Sequence, residues 1–297
     1  MTQSNSAKET TLEAGTFPAT WYAGGPERDG QSDFLAHAYN EDFYILRQAA
    51  FTNYEKPFLF LLFGDDKVLL LDTGAGSADV AGAVGGVIDG WLERRGRASI
   101  PLIAGHTHSD GDHVAGDDQF ANRANTTLVG LSPTDVAAFY GLEDWPNRPG
   151  TYDLGGRVLD ILPIPGHEPA SIAVYDRRTG VLLVGDILLP GRLYVRDPAE
   201  FVRSVRRLVE FTHDKRITCI LGCHIENKDV PFEDYVVGTV DQPNEHVLQL
   251  HREHLLELDA ALTAMNGEVV RKVMRDFTIW PKAPQVGGHA AARTVSP

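Results

Sequence analysis

The chain of 297 residues has little cysteine: Cys219 and Cys223 are its only two. They are too few for a disulfide framework. A single bridge or a metal role stays open for them, and a buried reduced thiol is the default. Positive charge is also scarce, with 27 Lys and Arg against 41 Asp and Glu, for a formal net charge of −14. That balance repels nucleic acid and anionic membranes and counts against a nuclease. No apolar run approaches the ~20 residues of a membrane span, and residues 1–10 lack the apolar core of a signal peptide, so a cytoplasmic chain is expected. No repeat of fixed period occurs, and no Gly/Ser/Pro-rich linker interrupts the middle of the chain. With 43% hydrophobic and 23% charged residues the composition is that of an ordinary globular protein. The reading is one domain over residues 35–265, an N-terminal extension over 1–34 and a C-terminal extension over 266–297, whose aperiodic tail at 287–293 is expected to be loosely ordered.

Against that background residues 105–116, Gly-His-Thr-His-Ser-Asp-Gly-Asp-His-Val-Ala-Gly, place His106, His108, His113, Asp110 and Asp112 within eight positions. They directly follow the apolar run 100–104. Imidazole nitrogens and carboxylate oxygens on one short loop form the donor set that divalent first-row metals prefer. Three more metal-competent residues each stand where a strand pattern runs out. His167 follows the alternating run 158–162, Asp186 closes the apolar run 181–185, and His224 follows residues 217–223. A rigid sheet can hold a site in this way, on loops at its strand ends.

The rest of the chain alternates strand and helix patterns. Residues 58–63 and 68–71, separated by Gly64-Asp65-Asp66-Lys67, read as a hairpin of buried strands. Ser77 is expected to cap a helix running to about Arg95, and Ser132-Pro133 opens another. Asp197-Pro198 starts a helix whose apolar face is Phe201, Val202, Val205, Leu208 and Val209. A last helix is expected from about Asn244 to Met265, burying Val247, Leu248, Leu255, Leu258 and Leu262. Strand clusters in each half suggest two sheets between outer helices.

Taken in order, Asp72-Thr73-Gly74, the His/Asp cluster with Gly116 behind it, His167, Gly185-Asp186 and Gly222-Cys223-His224 resemble the motifs of the metallo-β-lactamase-fold hydrolase superfamily. The resemblance spans roughly residues 35 to 265 and implies an α/β fold, an αββα sandwich of two mixed β-sheets flanked by helices. It implies that His108, Asp110 and His167 hold one metal and Asp112, His113 and His224 a second, with Asp186 between them. It further implies a dinuclear metal-dependent hydrolase whose metal-bound hydroxide attacks a small-molecule ester, thioester, lactone or related bond, with Asp112 orienting the water and carrying its proton.

One position departs from the pattern. With Asp112, His113 and Gly116 in register, Asp110 stands where the superfamily has a second histidine. His106 then lies behind the ligands, or replaces Asp110 if the loop bends differently, and Asp72 likewise stands behind them or serves as an alternative ligand. Zinc is the expected metal, and the harder carboxylate of Asp110 shifts preference toward iron or manganese. A non-hydrolytic iron-dependent oxygen or sulfur enzyme, or a metal-containing ligand-binding protein of the same fold, is therefore the competing reading. Asp186 stands where β-lactamases of this superfamily have Cys or Ser, which disfavours antibiotic hydrolysis. Arg192, Tyr194 and His246 are candidate substrate-binding residues, with Arg192 pairing a surface acid and Tyr194 in the core as the alternative. Trp21, Tyr22, Tyr54, Glu55, Trp145 and Glu245 are further candidate walls. The closely spaced His251 and His254 read as part of a solvated helix face. A small-molecule substrate is the only partner the sequence points to, and it leaves the oligomeric state open.

Overall fold

The computed structural model describes residues 11–282. The polar start and the tail at 287–293 therefore lie outside the described residues. The first sheet contains β1 (Phe34–Asn40), β2 (Phe43–Gln48), β3 (Phe58–Phe63), β4 (Val68–Leu71), β5 (Leu102–Gly105) and β6 (Thr126–Leu128), neighbouring one another in that order. Its first four strands pair antiparallel, and β4, β5 and β6 pair parallel. The second contains β7 (Gly150–Asp153), β8 (Val158–Pro163), β9 (Ile172–Asp176), β10 (Val181–Gly185), β12 (Cys219–Gly222) and β13 (Gln249–Leu250), in the order β13-β12-β10-β9-β8-β7. A small third sheet joins β11 (Arg192–Val195) to β15 (Thr278–Pro281) in parallel, with β14 (Lys272–Val273) antiparallel beyond it.

Side-chain alternation explains why the sheets stack. All six residues of β3 are buried, but Phe58, Phe60 and Leu62 belong to one apolar cluster and Leu59, Leu61 and Phe63 to another. A strand that is apolar on both faces must be covered on both. The first cluster also takes Ile161, Val174, Leu183 and Leu221 from the second sheet, and is the core between the sheets. The other meets Val80, Val84, Ile88 and Trp91 of α1 (Val80–Arg95). On the far side of the second sheet, Leu182 and Ile220 pack with Phe201, Val205 and Leu208 of α4 (Pro198–Phe211) and with Leu255 and Leu258 of α5 (Arg252–Ala264). The layers run helix, sheet, sheet, helix, as expected. The two remaining helices, α2 (Gly111–Val114) and α3 (Pro133–Tyr140), are short.

Helix starts follow their capping chemistry. Ser132 and Asp135 form a reciprocal capping box at α3, and the Asp197 side chain accepts from the Glu200 amide at α4. Two expectations are corrected. Helix α1 is capped by Asp79, whose carboxylate accepts from the Gly82 amide, not by Ser77. Helix α5 starts at Arg252 rather than Asn244, because the preceding backbone is engaged by the chain beside it: the His246 amide donates to the Asn227 carbonyl and the Asp229 amide to the Asn244 carbonyl. Val247 is accordingly exposed, whereas Leu248 enters the core between the sheets. Among the described residues no helix is long and apolar enough to cross a membrane.

Candidate metal centre

Asp72 follows β4, the stretch 106–113 follows β5, and His167, Asp186 and His224 follow β8, β10 and β12. Strand ends from both sheets thus converge on one rim. The chain is tightly drawn there. Gly166, just before His167, has φ +133°, and a Cβ on it would lie 2.4 Å from the backbone of Phe201 at the start of α4. Only glycine permits that approach. Asp72 itself holds φ 71°, a costly conformation for a residue with a side chain. Its fully buried carboxylate accepts from the Thr107 amide (2.7 Å), the Thr107 hydroxyl (2.9 Å), the Cys223 thiol (3.3 Å) and His113 Nδ1–H (3.0 Å).

Two groups of donors face each other. In the first, Asp110 Oδ2 lies 3.2 Å from His167 Nε2 and 3.7 Å from His108 Nε2. In the second, Asp112 Oδ2 lies 3.1 Å from His224 Nε2 and 3.3 Å from His113 Nε2. Asp186 stands between them, its Oδ2 at 3.5 Å from His224, 3.8 Å from His113, 3.9 Å from His167 and 4.0 Å from His108, in each case from Nε2. The opposite ring nitrogens are occupied elsewhere. His167 Nδ1–H donates to the Tyr194 carbonyl and His224 Nδ1–H to the Glu55 carbonyl, while His108 Nδ1 meets the Thr107 hydroxyl at 3.1 Å. Because a carbonyl only accepts, the contacts of His167 and His224 fix neutral tautomers whose Nε2 lone pairs point inward, as metal-ligating histidines require.

The buried, unpartnered polar atoms agree. His108 Nε2 and Asp186 Oδ1 have no hydrogen-bond partner. Buried polar atoms are rarely left so. Four inward-facing imidazole Nε2 atoms and three carboxylates fit divalent metal ions with mixed nitrogen and oxygen ligands.

The electrostatics follow from this crowding. Burial opposes charge on His113, yet the carboxylates of Asp112 and Asp72 hold its pKa well above the usual imidazole value. His224 is likewise buried, and Asp186 and Asp112 raise its pKa to about 9. His108 moves the other way, lowered by burial and by His113. Against the effect of their own burial, both acids stay far below the ordinary carboxylate range, Asp110 because His108, His167 and the Arg196 guanidinium bond it and Asp112 because His113 and His224 surround it.

A pocket of about 390 Å³ opens over the two groups, lined by Asp110, Asp112, His167, Asp186 and His224 and walled by Tyr54, Glu55, Arg192, Tyr194 and Arg196. Burial and the neighbouring Asp112 push the Glu55 carboxyl up. Other candidates lie elsewhere. His106 turns away from the cluster to Asp117, 2.8 Å from its Nε2, so the loop presents His108 and Asp110 to His167 instead. His246 is in no helix and is not among the pocket residues, since its ring binds Asp276 and the Val247 carbonyl. Arg192 lines the pocket, but its guanidinium is held by Glu226 (2.8 Å) and Asp234 (2.7 Å). Trp21 is buried between the sheets, Trp145 packs against that core, Tyr22 bonds Asp241, and Glu245 pairs with the buried Arg47. Cys219 and Cys223 are free and buried.

Sequence reading missed Arg196, whose guanidinium grips both oxygens of Asp110 at 2.9 and 2.5 Å. Nothing near Arg196 in the chain signals this contact, because the two residues are 86 positions apart.

Comparison with known proteins bears on the family and the fold. The chain is 30% identical over 132 residues to a hydroxyacylglutathione hydrolase of Synechococcus, covering 43% of this chain and 52% of that protein. It is 27% identical over 186 residues to the hydroxyacylglutathione hydrolase of Microcystis aeruginosa, covering 59% and 69%. The chain spans about half the length of most of the curated relatives it matches. Among solved structures, the metallo-beta-lactamase FIM-1 from Pseudomonas aeruginosa in its mono-zinc form superposes with TM-score 0.53 at 15% identity, over 82% of this chain and all of that one. A metallo-beta-lactamase from Pontibacter korlensis gives TM-score 0.51 at 13% identity, over 77% of this chain and 99% of that one. At such identities the structures speak for the fold alone. The profile of the Metallo-beta-lactamase superfamily matches residues 57–224, more than half of the chain, and the chain therefore belongs to that superfamily.

Proposed function

We propose that the protein is a metal-dependent hydrolase of a small-molecule ester, thioester or lactone, with His108, Asp110 and His167 holding one ion, Asp112, His113 and His224 a second, and Asp186 shared between them. The observation that carries the reading is the position of Asp186 Oδ2, within 4.0 Å of all four imidazole Nε2 atoms and between two separate carboxylate–histidine groups. When bound, such ions supply an ionised water near neutral pH and a Lewis acid for the scissile carbonyl.

The chain's own residues do the rest. Asp72 and the carbonyls of Tyr194 and Glu55 fix the imidazole tautomers. Asp112, at the pocket wall, orients the attacking water and takes its proton toward the leaving group. Tyr54 and Tyr194 form apolar sides with polar tips, suited to a small acyl group and its carbonyl. The name of the curated relatives, hydroxyacylglutathione hydrolase, favours a thioester among these bonds. Asp186 in place of Cys or Ser speaks against β-lactams.

Asp110 keeps a second reading in view, an iron-dependent oxygen or sulfur enzyme, because its carboxylate is the harder donor. A panel of thioesters, esters, lactones and β-lactams, run with and without oxygen on protein loaded with zinc, manganese or iron, separates the two. The proposal expects hydrolysis of thioester or lactone that is lost on chelation and indifferent to oxygen. Oxygen consumption coupled to turnover, with no hydrolysis, contradicts it.

A further inference from the structure

The two donor groups differ in one respect that their ligands do not show. Asp112 is surrounded by imidazoles, and among the described residues no arginine or lysine pairs with it. Asp110 instead carries a complete guanidinium clamp: Arg196 Nη1 donates to Oδ1 at 2.9 Å and Nη2 to Oδ2 at 2.5 Å. The clamp is mostly buried, with side-chain exposures of 12% for Arg196 and 18% for Asp110. Arg196 is also held in place from its backbone, whose amide donates to the Gly166 carbonyl beside His167. Bidentate pairs of this kind are the strong ones, and a mostly buried unit charge acts on a nearby cation with less screening than one in water. Asp110 Oδ2 is the same oxygen that faces His167 and His108.

We propose that Arg196 is a positioning residue that sets metal affinity at the first group, cancelling the charge of Asp110 and competing for its oxygens, so that the group of Asp112, His113 and His224 fills first and the group of His108, Asp110 and His167 second and more weakly. The pair of Asp110 and Arg196 is then neutral, as the histidine it stands in for would be. This inference rests on the metal reading above. It adds to that reading an order of filling and the residue that imposes it.

The test is a zinc titration of the metal-depleted full chain, followed by competition with a chromophoric chelator, for the native protein, Arg196→Gln and Arg196→Lys. The native chain is expected to bind in two steps of unequal affinity. Arg196→Gln tightens the weaker step about tenfold or more and leaves the tighter one nearly unchanged. Arg196→Lys keeps the charge and stays close to the native chain, which a role confined to packing would not produce. Should Arg196→Gln fail to fold, Arg196→Met of similar length takes its place with the same expected result. A weaker step that is unchanged or loosened overturns the inference while leaving the metal reading intact. No zinc bound by any of the proteins overturns the metal reading itself.

Discussion

The carboxylate of Asp72 accepts a hydrogen bond from His113 Nδ1–H across 3.0 Å, and both side chains are wholly buried. The contact fixes which ring nitrogen of His113 faces the pocket and makes that nitrogen the better donor. Asp72→Asn keeps the size of the side chain but removes its charge. Zinc affinity of the purified variant should fall about 10- to 100-fold. Affinity equal to the native chain would show that Asp72 only supports the fold.

Asp186 is the group common to both halves of the centre. Asp186→Ala and His113→Ala should each abolish thioester or lactone turnover, by about 10³-fold or more, if the shared site does most of the activation. Far-ultraviolet circular dichroism should stay native in Asp186→Ala, whose side chain is partly exposed at the pocket. Retained turnover in both variants contradicts the assignment.

The protonation of His224 gives a pH dependence. Burial lowers its pKa, but Asp186 and Asp112 prevail and raise it to about 9, above the ordinary 6.5. A raised pKa means that this group stabilises the metal-free fold fully below pH 6.5, and that the contribution fades as pH rises through about 9. A ligating imidazole must be neutral, so metal displaces that proton. Zinc binding near pH 7.5 should release protons, and apparent affinity should climb toward about pH 9 and level off. Calorimetry in buffers of different ionisation enthalpy measures the release, and a buffer-independent heat would contradict it.

Far from the pocket, Arg157 ties the two sheets together. Its guanidinium donates to Asp176 at 2.6 and 3.2 Å, to the Phe63 carbonyl at 3.1 Å and to the Asp42 carbonyl, with both partners of the ion pair buried. Removing one member strands a buried charge. Arg157→Ala should lower unfolding free energy by about 3–5 kcal/mol in urea titration. A loss below about 1 kcal/mol would mean that water reaches Asp176.

What the sequence made legible is what is local or periodic. The continuous apolar runs of β3, β4 and β10 already contain the stacked sheets, and the cap at Asp197 states its helix start outright. The order of the His and Asp motifs likewise foreshadowed a cluster at strand ends. What stayed hidden depends on contacts between distant segments. Val247 and Leu248 fit a helical spacing, yet the Asn227 carbonyl takes the His246 amide and draws the segment out of helix. His106 is chemically as fit a ligand as His108, and only Asp117, eleven positions on, turns it away. Arg196 reads as an ordinary residue before a helix cap until the fold lays it against Asp110.

The most direct test is elemental mass spectrometry of the untagged full chain, purified without added metal or chelator and scored as metal ions per chain. A divalent first-row metal, zinc above all, retained at one or two ions per chain and lost in Asp186→Ala is the predicted result. Metal at background level in the native protein, or unchanged in the variant, would contradict the assignment of these residues to a metal centre.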